Sequence, residues 1–339
     1  MKVLLSWFAT EEEIQRAKRG LPEGTTIVSP KPRAVLSPYE VISSDVADLA
    51  ADADVILSRT MPPGVLEGTR NLKALCWMHA GCDELDFPLL KQKGVKVGNN
   101  RGVNGPAVAE HAMALLLAVS KKLIVMHRKV TQARWFAPWE PENQSVLLAG
   151  QTMVVIGLGQ IGTAIAKRTR AFNTKVIGVR RHPERGGEHV DAVYGANDLL
   201  KALRGANFAI VAAPLTKDTK GLVGEREIKA MKKGAILLNI ARGNLVQEYP
   251  VYKALKSGQL GGYGADVWWS YVDQSPSTYH FPVASRTNLQ YLPNVVGTPD
   301  QGARVIEVLR GHVDWAIENA NAFLRGKPMP RAVNLDLGY

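Results

Sequence analysis

Met153–Gly162 reads MVVIGLGQIG, and TAIAKRTRAF follows it. Apolar, largely β-branched residues form a strand that runs into Gly157-x-Gly159-x-x-Gly162, and a helical stretch comes next. Each glycine has a task. Gly157 permits a tight turn, Gly159 lets the backbone approach a pyrophosphate, and Gly162 lets the helix pack close, its N-terminal N–H groups facing the anion. A glycine triplet alone is weak evidence. This one lies between strand and helix, and the next strand, KVIGV from Lys175, follows at the expected distance. The stretch reads as a dinucleotide-binding unit rather than a purely structural turn.

The end of the next strand selects the dinucleotide. An NAD site places an acid there, about 20 residues on, to accept from the ribose hydroxyls. Here the chain reads VIGVRRHPERGG, with Arg180 at that position and Arg181 after it. Two guanidinium groups suit a 2′-phosphate through charge-assisted, forked hydrogen bonds. The expectation is NADP in preference to NAD.

Outward from the loop, apolar runs alternate with helical patterns on both sides. FAIVAA, AILLNI and GYGADV, from Phe208, Ala235 and Gly262, join MVVIG and KVIGV as five strands of one parallel sheet. Before them, Lys2–Trp7, Thr26–Ser29, Asp54–Ser58, Leu72–Trp77 and Val95–Val97 read as strands of another. Glu11–Arg19 reads as a helix with Thr10 as N-cap and acids in its first turn. Ala107–Ser120 is a long apolar helix, Lys121–Glu142 a basic arm, and Gly302–Arg325 a final amphipathic helix. The fold class is α/β, with two doubly wound parallel sheets.

Composition removes several alternatives. The chain has 339 residues, 46% hydrophobic, which suits a folded core. The longest apolar run, Ala112–Val119, is far short of the ~20 residues of a membrane helix. The apolar run at the N-terminus is short and followed at once by acids, unlike a secretory leader. Cys76 and Cys82 have no metal spacing, so a reducing cytoplasm is the simplest compartment and no metal is expected. The net charge of +11 comes from scattered Lys and Arg, not from a basic, aromatic-interleaved run. That argues against nucleic acid and for a small anionic substrate.

At this point the chain resembles the D-isomer-specific 2-hydroxyacid dehydrogenases over nearly its whole length. The matching stretches are HAGCDELD from His79, NGPAVAEHAMALLLA from Asn104, LAGQTMVVIGLGQIG, AAPLTKDTKGLVG from Ala212 and MKKGAILLNIARGNLV from Met231. The resemblance implies a flavodoxin-like substrate domain, split between 1–103 and 299–339, with a Rossmann dinucleotide-binding domain, 104–298, inserted. It implies a homodimer through the 104–150 region. It also implies hydride transfer between a nicotinamide and C2 of a small 2-oxo or 2-hydroxy acid, of glyoxylate or hydroxypyruvate type. Arg242, in NIARGN, matches the family arginine that grips the carboxylate and carbonyl, a task for a planar fork. The backbone of Ala80 and Gly81, beside His79, would hold the carboxylate. Gln160, Ile161, Ala213, Pro214, Ile240 and Ala241 would line the coenzyme, and Asp266 matches the acid near the nicotinamide.

Two positions depart from the family. Its histidine follows Thr-Pro or Ser-Pro, and here that residue is Asp300. Its glutamate, five residues beyond the Asp of the DV motif, is here Tyr271. Gln247 stands where the family often has Asp. An ordinary aspartic acid loses its proton near pH ~3.9, and keeping it protonated near pH 7 costs about 4 kcal/mol, so Asp300 alone is a poor general acid. Tyr271 has a proton to give at neutral pH, with Asp300 as its orienting partner. His79 titrates in the right range, and His280 lies in a nearby insertion. Against these stand bland roles: Tyr271 as aromatic wall beside Trp268 and Trp269, and His79 as pocket shape. His111, His127, His182, His189 and His312 have no catalytic context in the sequence. An active reductase with an altered donor is favoured. The alternatives are a dinucleotide-binding sensor or scaffold that no longer catalyses, and the same fold with an unusual substrate.

Overall fold

The computed structural model describes residues 1–134, 143–269 and 284–339. The chain divides into two compact units. One comprises Met1–Val103 and Ile306–Tyr339; the other comprises the described residues from Asn104 to Val305. The chain crosses between them after Val103 and again before Ile306. Residues 299–305 fall with the second unit, because Asp266 accepts from the backbone N–H groups of Gln301 and Gly302.

The first unit begins with β1 (Lys2–Leu5), α1 (Glu11–Gly20), β2 (Thr26–Val28), α2 (Ser43–Ala51), β3 (Val55–Ser58), α3 (Val65–Gly68), β4 (Ala74–Trp77), α4 (Phe87–Gln92) and β5 (Lys96–Asn99). All strands are parallel, in the order β2-β1-β3-β4-β5. This is the flavodoxin-like order. The inner strands β3 and β4 are fully buried, as a parallel sheet covered on both faces requires. Thr10 caps α1 through a reciprocal capping box with Glu13, and Glu11–Glu13 complement the helix dipole.

The second unit runs through α5 (Gly105–Ser120), α6 (Leu123–Thr131), β6 (Thr152–Ile156), α7 (Gln160–Arg170), β7 (Lys175–Arg180), β8 (Ala192–Gly195), α8 (Leu199–Leu203), β9 (Phe208–Val211), α9 (Glu225–Ala230), β10 (Ala235–Asn239), α10 (Glu248–Ser257), β11 (Leu260–Ala265) and β12 (Val295–Gly297). The order is β12-β11-β10-β9-β6-β7-β8, again all parallel. Two apolar clusters cover its faces, one around Val154, Leu237 and Tyr263, the other around Leu116, Val155 and Ile236. On α5 the buried residues Val108, Ala109, Ala112, Leu115, Leu116 and Val119 fall at helical spacing on one stripe.

The five strands expected here become seven. β8 (AVYG) and β12 (VVG) are short and only partly buried, so they lack the continuous apolar run that marks an inner strand. The first unit is completed by α11 (Ile306–Leu324), which packs on β3, β4, β5 and α1. Gly20 permits that approach, since a Cβ there would lie 2.4 Å from Ile317 Cγ2. The helix begins at Ile306 and not at Gly302, because the preceding turn is taken up by Asp266. The expected basic arm is helical over α6, where Leu123, Ile124 and Val130 are exposed.

Candidate active site

In a parallel sheet every strand presents its carboxyl end to the same edge, and ligands of such folds bind outside those ends. In the second unit this edge gathers the loops after β6, β7, β9, β10, β11 and β12. Backbone hydrogen bonds extend the ladder into them: Gly157 N to Val179 O, Ala212 N to Ile156 O, Ile240 N to Val211 O, Asp266 N to Asn239 O and Thr298 N to Ala265 O. Arg180, Ala213, Pro214, Arg242, Asp266 and Asp300 therefore share one edge with the glycine loop.

The glycine loop has the shape expected of it. Gly157 has φ +104°, and a Cβ there would lie 2.6 Å from Ala213 N. A Cβ on Gly162 would lie 1.8 Å from Gly157 O, so only glycine lets α7 start this close to the turn. Around Gly159 nothing lies within 4 Å of a built Cβ. Two positions are tight and the middle one is open, which is what a pyrophosphate approaching the backbone needs. Gln160 and Ile161 form the first turn of α7. The residues present fit a nicotinamide dinucleotide. At the end of β7, Arg180 Nη1 donates to Gly186 O at 2.8 Å, and Arg181 pairs with the exposed Asp218 at 3.1 Å.

Arg242 is half-buried, on a turn built by Asn239, the last residue of β10. Asn239 is fully buried; its Nδ2 donates to Arg242 O at 2.9 Å, and its Oδ1 accepts from Ala241 N at 3.2 Å. Arg242 Nη1 donates to Ala241 O at 3.0 Å. A Cβ on Gly243 would lie 2.0 Å from Trp268 O, so the turn is pressed against the segment after β11.

Asp266 is 4% exposed. Its Oδ1 accepts from Thr298 Oγ1 at 2.5 Å and Gln301 N at 2.7 Å, its Oδ2 from Gly302 N at 2.8 Å, and its own carbonyl from Asp300 N at 2.8 Å. His111 Nε2 lies 2.8 Å from Thr298 Oγ1 and 3.4 Å from Asp266 Oδ1. Asp300 is exposed and left-handed, with φ +55°. Trp268 Nε1 donates to Thr298 O and Trp269 Nε1 to Val246 O, and Trp269 stacks on Tyr263 at 5.9 Å. These indoles brace backbone. Tyr271 and His280 lie outside the described residues.

In the first unit, His79, Ala80 and Gly81 follow β4 at its carboxyl end. The carbonyls of Ala80 and Gly81 accept from Asn99 Nδ2 (2.8 Å) and Trp77 Nε1 (3.0 Å), which sets the direction of their peptide planes. His79 Nε2 lies 2.8 Å from Arg59 O, and a carbonyl only accepts, so Nε2 carries the hydrogen. His312 sits behind it, 6.3 Å between ring centroids. Burial, with help from Arg59 and His79, holds His312 down to about 3, so the ring is neutral and Asn100 Nδ2 donates to its Nδ1. Gln247 bridges to Gly221 O and serves the 221–224 loop. Among the described residues, no group of three His, Cys, Asp or Glu gathers as metal ligands.

Sequence reasoning did not single out Asn239, Thr298 or His111 as parts of the site. The signal for Asn239 was present: a polar residue closing an otherwise apolar strand, just before Arg242. Thr298 and His111 are brought together only by the fold.

A family model described as the D-isomer specific 2-hydroxyacid dehydrogenase NAD binding domain matches residues 113–302. A glyoxylate reductase of Pyrococcus horikoshii is 33% identical over 306 residues, 88% of this chain and 87% of its own. Two solved structures share the fold. An acyclic imino acid reductase in complex with NADPH and D-Arg has a TM-score of 0.79 at 23% identity, over 98% of this chain and 100% of its own. An NADPH-dependent glyoxylate/hydroxypyruvate reductase from Sinorhizobium meliloti, with NADP and malonate, has a TM-score of 0.75 at 23% identity, over 98% and 97%. The chain belongs to the D-isomer-specific 2-hydroxyacid dehydrogenase family, and it is an NAD(P)-dependent oxidoreductase of that class.

Proposed function

We propose that this protein is an NADP-dependent reductase of a small 2-oxo acid of glyoxylate or hydroxypyruvate type, working as a cytoplasmic homodimer through the 104–150 region. The observation that carries the reading is the shared edge: the glycine loop, Arg242 and Asp300 all follow carboxyl ends of one parallel sheet. The bound coenzyme supplies a hydride from its nicotinamide. Gly157, Gly159 and Gly162 shape the loop that receives its pyrophosphate, while Gln160, Ile161, Ala213, Pro214, Ile240 and Ala241 line it. Arg181 takes the 2′-phosphate with Arg180 beside it. Its pair with Asp218 is largely exposed and worth ~1 kcal/mol or less, so a phosphate displaces it at little cost. Arg242 grips the substrate carboxylate and carbonyl, and the backbone of Ala80 and Gly81 holds the carboxylate. Tyr271 gives the proton, oriented by Asp300. The test is oxidation of NADPH, with NADH alongside, against glyoxylate, hydroxypyruvate and pyruvate. Turnover preferring NADPH supports the reading; NADPH binding without turnover favours a non-catalytic sensor.

A second reading rests on Asp300 itself. A 2-imino acid reaches hydride transfer already protonated, as an iminium ion. The hydride adds to C2, the π pair returns to nitrogen, and no general acid is required. A carboxylate opposes the negative oxygen that forms from a carbonyl, but it stabilises an iminium. The arms of the same assay that add ammonium or methylamine separate the two readings: a hydroxy acid product supports the first, an amino acid product the second.

A further inference from the structure

Thr298 has one hydroxyl hydrogen and lies between His111 Nε2 and Asp266 Oδ1. Asp266 already accepts two backbone N–H groups, one on each oxygen, so it stands as an acceptor toward Thr298 as well. Thr298 therefore gives its hydrogen to Asp266 and receives one from His111 Nε2–H. The chain His111 to Thr298 to Asp266 has one direction, and it ends on the turn that carries Asp300. Three of the roughly four lone-pair directions of the carboxylate are spent on that turn. The N–H of Asp300 itself donates to the Asp266 carbonyl. Asp300 stands at φ +55°, a left-handed conformation that Asp adopts more readily than most L-residues. Gly302 makes the close approach feasible, since a Cβ there would lie 3.0 Å from Asp266 Oδ2 and 3.3 Å from His111.

We propose that Thr298 is a positioning residue: through His111 and Asp266 it fixes the turn that presents Asp300 to the reacting atoms. This rests on the reading that places Asp300 at the reaction centre. It assigns the Asp266 carboxylate first to the turn and only second to the coenzyme. The role belongs to the hydroxyl and not to the bulk of the side chain, so an isosteric Val removes it and Ser restores it.

The experiment compares Thr298→Val and Thr298→Ser with the wild type in kcat, NADPH Kd, melting temperature and amide exchange of residues 300–302. In T298V, kcat falls and exchange at Asp300, Gln301 and Gly302 quickens, each about tenfold or more, while NADPH affinity stays within about twofold. T298S returns both toward wild type. Wild-type kcat and protection in T298V overturn the proposal. A loss of NADPH affinity matching the loss of rate overturns it too, because the network then serves the coenzyme. A wild type with no turnover refutes the reductase reading alone, and the exchange arm still decides whether Thr298 holds the turn.

Discussion

On the proposed reading Asp300 stands where the resembled family has its histidine, and an ordinary aspartic acid is a poor proton donor near neutral pH. Restoring half of the family pair does not restore the chemistry, because a histidine needs the glutamate to orient and charge it. Asp300→His alone therefore lowers kcat, because Tyr271 loses its orienting partner, and adding Tyr271→Glu raises it again by on the order of 10²-fold over the single variant, read as NADPH oxidation with glyoxylate. Tyr271→Phe in the otherwise unchanged enzyme lowers kcat by roughly 10²–10⁴-fold. An unaltered rate would remove Tyr271 from the donor role. The candidates that could be named from the sequence are those whose motifs are local: Arg242, Asp266 and the glycine loop. Thr298 and His111 stand 187 residues apart, and nothing in either neighbourhood announces the hydrogen bond between them.

At the scale of elements, the strand–loop–helix around Gly157–Gly162 separates folding from binding in one motif. Gly162→Ala sets a methyl 1.8 Å from Gly157 O, so α7 must shift and both coenzyme affinity and melting temperature fall. Gly159→Ala meets no protein atom within 4 Å, so it melts close to wild type but binds NADPH at least about tenfold more weakly, because the methyl stands where the pyrophosphate comes in. Calorimetry and fluorescence titration of the two variants check the contrast. The inner strands were legible because parallel strands buried on both faces must be apolar throughout, as AILLN of β10 and FAIV of β9 are. Edge strands β8 and β12 escape that demand and so leave no run to read. The N-terminus of α1 was legible to the residue, since Thr10 and Glu13 are both specified by the cap. The start of α11 was not, because a distant carboxylate claims the N–H groups of Gln301 and Gly302.

At the scale of the whole molecule, His312 gives stability a dependence on pH below neutrality. Its ring is neutral in the fold and titrates near its ordinary value of about 6.5 once unfolded. The unfolded chain therefore takes up a proton that the folded one refuses. Stability falls as pH drops below about 6.5, by roughly 1.4 kcal/mol per unit, until the folded ring itself titrates at about 3. Between pH 7 and pH 5 the urea midpoint should record a loss of about 2 kcal/mol from this group. His312→Gln, which can still accept from Asn100, should flatten that slope. Asp45 is held below the usual carboxylate range by Arg33, so its contribution is lost only at lower pH and does not blur the window.

The chain leaves the first unit at Val103 and re-enters it at Ile306. One face of the β1–β5 sheet is closed by Val313, Ala316, Ile317 and Ala320 of α11, packed with Val3, Leu5 and Trp7. On the ribosome, the residues of that sheet emerge first and wait while 104–305 are made, roughly 10–40 s at ordinary rates of synthesis. The second unit, contiguous in the chain, is complete before the first has its last helix. Whatever shields a half-covered sheet in the nascent chain thus acts on the N-terminal part of this protein, and the part translated first is the last to close.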